Sequence, residues 1–275
     1  MPVANVRGIE IYYEIEGEGE PVLFIGGTGG DLRRPPRVFK MPVARHFRVL
    51  AYDQRGLGRS SKPDAPASMA DYADDAAALV EALGLDSVHV LGFSFGGMVA
   101  QELSLRHPAR VRHAVWAATS AGGTCGASYP FHKLVGLGPR ERARRLIELA
   151  DTRSVGDPQL AEKDPAAIYM AGQAAPSPYG DEPGHAIGEM RQLEARASHD
   201  TCARLGEVTG TVLLAAGRYD GIALPENMEA MAARMPSAVL RVYEGGHIFA
   251  QQDPKAWPDI VRFLKAGALE PPVRT

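Results

Sequence analysis

The chain carries only two cysteines, Cys125 and Cys202. They are too few for a disulfide framework and do not stand at metal-ligand spacing, so neither a stapled mini-domain nor a zinc site is indicated. Lysine is scarce too, with six against 24 arginines, and the formal net charge is −3. Without a basic excess, a nucleic-acid partner is disfavoured. Long apolar runs are missing. The longest uncharged stretch, residues 114–131, is interrupted by Gly, Ser and Thr and cannot serve as a membrane span. The opening residues lack a basic segment followed by an apolar core, so no signal peptide is expected. Internal repeats and low-complexity tracts are also lacking. What remains is a soluble globular protein of a reducing compartment, by default the cytoplasm.

What is present points to one large α/β unit. At 275 residues, 45% hydrophobic and 23% charged, the chain buries enough surface to fold without staples or metals. Its 51 glycines and prolines exceed the roughly 33 of average usage and fall between apolar runs as turn residues. Residues 3–7 and 9–15 read as strands around Gly8. Short apolar runs at 21–25, 48–52, 88–91, 111–118, 211–216 and 239–242 read as strands, the continuous ones buried on both faces. Helical periodicity covers 68–83, 95–106, 225–235 and 254–265, with Ser68 as a start signal, Gly84 as a stop, and Pro225 and Pro254 suited to first turns. This alternation predicts a mostly parallel, doubly wound sheet with helices on both faces.

Residues 122–207 break the pattern, with helical stretches at 138–150, 164–174 and 184–197 and a Pro-rich loop at 175–178. They read as a helical cap inserted into a core formed by 1–121 and 208–275, lying over the carboxyl edge of the sheet, where ligands bind. The basic run 139–145 reads as a solvated helix face.

The strongest chemical signal is Gly92-Phe93-Ser94-Phe95-Gly96-Gly97, after a strand and before a helix. This is the G-x-S-x-G elbow in its required setting. Ser94 must sit in a strained turn that lifts its hydroxyl clear of the sheet, and positions 92 and 96 must be small for strand and helix to pass. The Phe95 amide then opens a helix, where unpaired donors favour negative charge. A serine nucleophile needs a general base, and the base needs an orienting acid. In this topology the order is Ser, then Asp or Glu, then His, each after a strand. Asp220 and His247 meet both conditions.

Together, the elbow GFSFGG, the acid loop GRYDGIALP, the histidine loop EGGH and the motif DQRGLGRS at 53–60 resemble the α/β-hydrolase superfamily over essentially the full chain. The segment GGMVAQELSLRHPARVRHAVW after the elbow is most similar to its compact esterase, enol-lactonase and cofactor-free haloperoxidase branch. The resemblance implies a nucleophile at Ser94, an acid at Asp220 and a base at His247. It also implies oxyanion donors from the amides of Phe95 and Thr28, with Gly26 standing where relatives often have histidine. Serine at 94 excludes the epoxide-hydrolase and dehalogenase classes, which use aspartate there.

The implied activity is hydrolysis of a small-molecule carboxylic ester or lactone through an acyl-enzyme, with no metal or organic cofactor required. A perhydrolase, lyase or tailoring enzyme with the same triad is the alternative, and a non-catalytic receptor on the same scaffold a weaker one. Tyr129, Phe131 and Ile248 are the candidate substrate-binding residues. Leu134, Tyr169, Met170 and Met190 either line an acyl pocket with them or pack the cap. His132, His185 and His199 read as ordinary surface or packed histidines. Arg33, Arg34 and Arg37, near the cleft, either bind a substrate carboxylate or are surface charge, and surface charge is the favoured reading.

Overall fold

The computed structural model describes residues 2–35 and 37–269. Pro36, within the arginine loop, and the ends of the two core segments at residues 1 and 270–275 lie outside them. The strands are β1 (Val3–Val6), β2 (Ile9–Glu16), β3 (Pro21–Ile25), β4 (Arg48–Tyr52), β5 (Val88–Phe93), β6 (Val111–Ala117), β7 (Thr211–Gly217) and β8 (Val239–Tyr243). They form one eight-stranded sheet in the order β1-β2-β4-β3-β5-β6-β7-β8. β1 and β2 run antiparallel, and all pairings from β4 to β8 are parallel. Parallel strands put their carboxyl ends on one edge, and Ser94, Asp220 and His247 follow β5, β7 and β8 there.

Helices cover both faces. α1 (Met69–Ala82) and α2 (Phe95–Arg106) pack Tyr72, Leu79, Phe95 and Val99 against β3, β5 and β6 on one side. The opposite face is closed by Phe249, Ile260 and Phe263 from two late helices against Val22, Val115 and Leu213. α1 starts as its sequence signal indicates. Ser68 Oγ accepts from the Asp71 amide at 3.3 Å and Asp71 Oδ2 accepts from the Ser68 amide at 3.0 Å, a reciprocal cap.

The insertion contains α3 (Pro139–Ala150), α4 (Pro158–Lys163), α5 (Pro165–Ala174) and α6 (His185–Ala197). α4 is a helix that the sequence pattern does not show. After β7 come α7 (Pro225–Ala232), α8 (Phe249–Gln252) and α9 (Ala256–Ala266). The helix read at 254–265 therefore starts later. Asp253 is extended, as a residue before proline prefers, and Pro254 sits in a turn rather than in a first helical turn. The basic run lies on α3, where Arg144 pairs with Glu141 and Glu148 on an exposed face.

One expectation needs correcting. Cys125 and Cys202 are joined in a disulfide, with Cα atoms 5.6 Å apart across 77 positions of sequence. The reason is topological: β6 and β7 are neighbours, so the chain leaves for the insertion and returns from it at adjacent points. The default of a reducing compartment leaned on the same two residues and loses that support. Closing a loop of this size is worth up to about 4–5 kcal/mol in the chain-entropy account. Cys202→Ser should therefore lower the urea midpoint clearly, and thiol titration of the wild type should find two thiols only after unfolding and reduction. Two reactive thiols in the untreated protein would be the contrary result.

Candidate active site

Ser94 has φ of 56° and ψ of −114°, a left-handed conformation rare for a residue with a side chain. Its amide donates to Ala117 O at 2.8 Å, and its carbonyl accepts from the Gly97 amide at 2.9 Å, so both neighbours hold the turn. A Cβ at Gly92 would run into the Gly96 carbonyl oxygen, and one at Gly96 into the Ile25 carbonyl. The spelling of the elbow is thus a packing requirement.

The three predicted residues meet. His247 Nε2 lies 3.0 Å from Ser94 Oγ, and His247 Nδ1 lies 2.8 Å from Asp220 Oδ2. The other Asp220 oxygen accepts from the amides of Ile222 at 2.8 Å and Ala223 at 2.9 Å. All three side chains are buried. A carboxylate fully occupied in this way fixes the imidazole ring and favours one tautomer, leaving Nε2 to face the serine. The end of α3 braces both loops. Ala150 O accepts from the His247 amide at 2.6 Å, and Leu149 O accepts from the Gly221 amide at 2.9 Å.

Phe95 follows the serine directly, and Thr28 lines the same cavity as Ser94. The Cβ position of Gly27 is 3.5 Å from Ser94 Cβ, which places the 26–30 loop against the nucleophile. Among the described residues, no backbone carbonyl accepts from the amides of Thr28 or Phe95. The Thr28 hydroxyl is engaged: it accepts from Arg196 Nη1 at 3.2 Å. With glycine at 26, the loop is held by two glutamines, one following β4 and one on α6. Gln54 Nε2 donates to Gly26 O at 3.0 Å, and Gln192 Oε1 accepts from the Gly29 amide at 2.7 Å. The 53–60 motif anchors the next stretch, because Asp53 takes the amides of Leu32 and Arg59 at 2.7 and 2.9 Å. Burial pushes the Asp53 carboxyl up, against the pull of those two amides.

Above Ser94 opens a cavity of about 260 Å³, lined in part by Thr28, Phe131, Leu134, Tyr169, Met170, His247 and Ile248. Phe131 and Ile248 are where the sequence put them. Tyr129 is not: its amide donates to Ile222 O, its ring packs beside Phe131, and it lines a separate cavity of about 100 Å³. Met190 is exposed, on the far side of α6. The direction of Tyr129 is not legible in sequence, because a short loop segment carries no periodicity.

The arginines divide. Arg33 is spent on Asp31 and Glu182 and stacks on Tyr179, clamping the loop to the insertion. Arg37 pairs with Glu14. Arg34 reaches Gly172 O at 2.9 Å and lines the cavity. Of the histidines, His132 is exposed, and buried His185 lies 3.4 Å from Glu189. His199 is buried against Gln101 Oε1, and burial pulls it down to about 4 from 6.5. An unfolded chain therefore takes up this proton first as pH falls. The stability held above pH 6.5 declines towards pH 4 by about 3 kcal/mol and is level below that. His199→Gln should flatten that part of the acid limb in urea titrations at pH 7 and pH 4.5. An unchanged difference between the two pH values would remove His199 as its source.

Two residues escaped the sequence reading altogether, Gln192 and Arg196 of α6. Polar residues on a helix usually face water, and nothing local marks these two as buried.

Comparison with known proteins agrees with the geometry. The family model described as the alpha/beta hydrolase fold matches residues 20–254. The RutD protein of Azorhizobium caulinodans, named for carbamate hydrolysis, is 28% identical over 272 residues, covering 95% of this chain and 97% of that protein. The 2-hydroxymuconate semialdehyde hydrolase of Pseudomonas putida is 30% identical over 242 residues, covering 84% and 82%. The crystal structure of the enol-lactonase from Burkholderia xenovorans LB400 superposes with a TM-score of 0.78 at 23% identity, over 96% of this chain and all of that one.

Proposed function

The chain belongs to the α/β-hydrolase family, and from that premise we propose that it is a serine hydrolase cleaving a carboxylic ester or lactone. The observation that carries this reading is the unbroken run of contacts from Asp220 Oδ2 through the His247 ring to Ser94 Oγ, at 2.8 and 3.0 Å. His247 Nε2 takes the Ser94 proton as the oxygen attacks the carbonyl carbon. Asp220 stabilises the imidazolium that forms. The free amides of Thr28 and Phe95 receive the tetrahedral oxyanion, each such donor being worth about 10²–10³ in rate. His247 returns the proton to the departing alcohol and then activates the water that releases the acid. Residues 122–207 act as the lid, since they supply Phe131, Leu134, Tyr169 and Met170 to the cavity.

A fluorophosphonate probe and a panel of short 4-nitrophenyl esters, lactones and carbamates test the proposal. Labelling that depends on Ser94, together with turnover of an ester or lactone, is the expected outcome. No labelling and no turnover across the panel would overturn it.

A further inference from the structure

Against the 28–29 loop, α6 presents donors that find no acceptor among the described residues. Arg196 is buried, with only Nη1 engaged, on Thr28 Oγ1. Its Nε and Nη2 find no acceptor among the described residues, and its guanidinium lies 4.4 Å from the centre of the Phe131 ring. One turn away, Gln192 is fully buried, and its Nε2 is equally without a partner once Oε1 has accepted from Gly29. Residues four apart lie on one helix face, so both side chains reach the 28–29 loop.

Burial pulls Arg196 down to about 10, which still leaves it cationic at neutral pH. Among the described residues, the carboxylate whose field favours that charge is Asp220, and its oxygens are taken by His247 and two amides. A buried charge is ordinarily paired. The unmatched groups here are all donors, and one carries a full positive charge. A water or a neutral carbonyl would satisfy the hydrogen bonds but add no counter-charge to the field of Asp220 and the face of the Phe131 ring.

Arg196 lines the second cavity and Gln192 the main one, and the two cavities share Phe131 and Leu193. At about 100 Å³ the second far exceeds the roughly 10–15 Å³ needed for one water. Arg34, which donates to Gly172 O, and Arg142 add positive charge to the lining of the main cavity. We propose that Arg196, aided by Gln192, is the subsite for a carboxylate on the substrate, so that the natural substrate is an anionic ester or lactone. The inference rests on the serine-hydrolase reading for the position of the scissile carbonyl. Because Arg196 touches Thr28, that carboxylate lies a short chain away from the carbonyl, as in the monoester of a short dicarboxylic acid.

The test pairs monomethyl glutarate with methyl pentanoate in calorimetric binding to Ser94→Ala, and their 4-nitrophenyl counterparts in turnover by the wild type. The acidic member should be favoured about 10–100-fold, the range of a charged hydrogen bond. Arg196→Met should bring the ratio close to one, Gln192→Leu should lower it partly, and Arg196→Lys should restore part of it. Using the ratio cancels any general disturbance of the Thr28 loop. Equal binding of the two esters, or a preference that survives Arg196→Met, overturns the subsite. If the wild type hydrolyses the neutral ester without such a preference, the serine reading stands alone. If the acid preference appears in binding while neither ester turns over and no fluorophosphonate label forms, the subsite stands and the serine reading fails.

Discussion

Ser94→Ala should reduce kcat on a short 4-nitrophenyl ester by about 10⁴–10⁶-fold and abolish fluorophosphonate labelling, while the variant stays folded. The loss is large because nucleophile and base act as one unit: without the hydroxyl, His247 Nε2 has no proton to take. On the proposed mechanism, the residual rate comes from the amides of Thr28 and Phe95, which would still hold an oxyanion formed by water attack. His247→Ala should therefore cost a similar factor, and the double variant little more than either single one. Ser94→Gly separates chemistry from strain. The φ of 56° at this position costs a residue with a side chain about 1–3 kcal/mol, so the glycine variant should be inactive yet melt higher than Ser94→Ala. Retention of more than a hundredth of wild-type kcat by Ser94→Ala would place the nucleophile elsewhere.

Gly96→Ala should lose about 3–5 kcal/mol of stability. Its new methyl would fall on the Ile25 carbonyl and within 2.7 Å of Gly26 O. Both are backbone atoms of the strand and loop that place Thr28, so neither can yield without moving the proposed oxyanion donors. Activity and the urea midpoint should fall together. Gly172→Ala is the control: it lies inside α5 with nothing within 4 Å of the added carbon, and should gain about 0.5–1 kcal/mol of helix propensity. A Gly96→Ala protein within about 1 kcal/mol of the wild type would contradict the close crossing of strand and helix.

The elbow was legible because its chemistry is local. Strand, turn and helix follow one another directly, and glycine at 92 is required by the segment's own Gly96 and Ala100, although glycine at 96 is required by Ile25 of the neighbouring β3. Asp220 and His247 were legible by order, since each follows a strand of a parallel sheet whose carboxyl ends share one edge. Tyr129 was misplaced because it lies in a loop, where one residue's direction says nothing about the next. Pro254 was set a step too early because the extended Asp253 ahead of it, which accepts from the Glu244 amide at 2.8 Å, holds the chain out of the helix.

By itself, then, the sequence determined the parallel sheet, the strained serine and the order of the acid and the base. These follow from periodicity and steric rules that act over a few residues. Tertiary structure alone decided three other things. It closed the Cys125–Cys202 bond, because β6 and β7 are neighbours in space although the insertion separates them in sequence. It braced the acid and histidine loops on the end of α3. And it turned Gln192 and Arg196 inward against the 28–29 loop, leaving buried donors without acceptors. Each of these depends on which surfaces meet once the insertion folds back over the sheet, and no local pattern of residue types encodes that meeting.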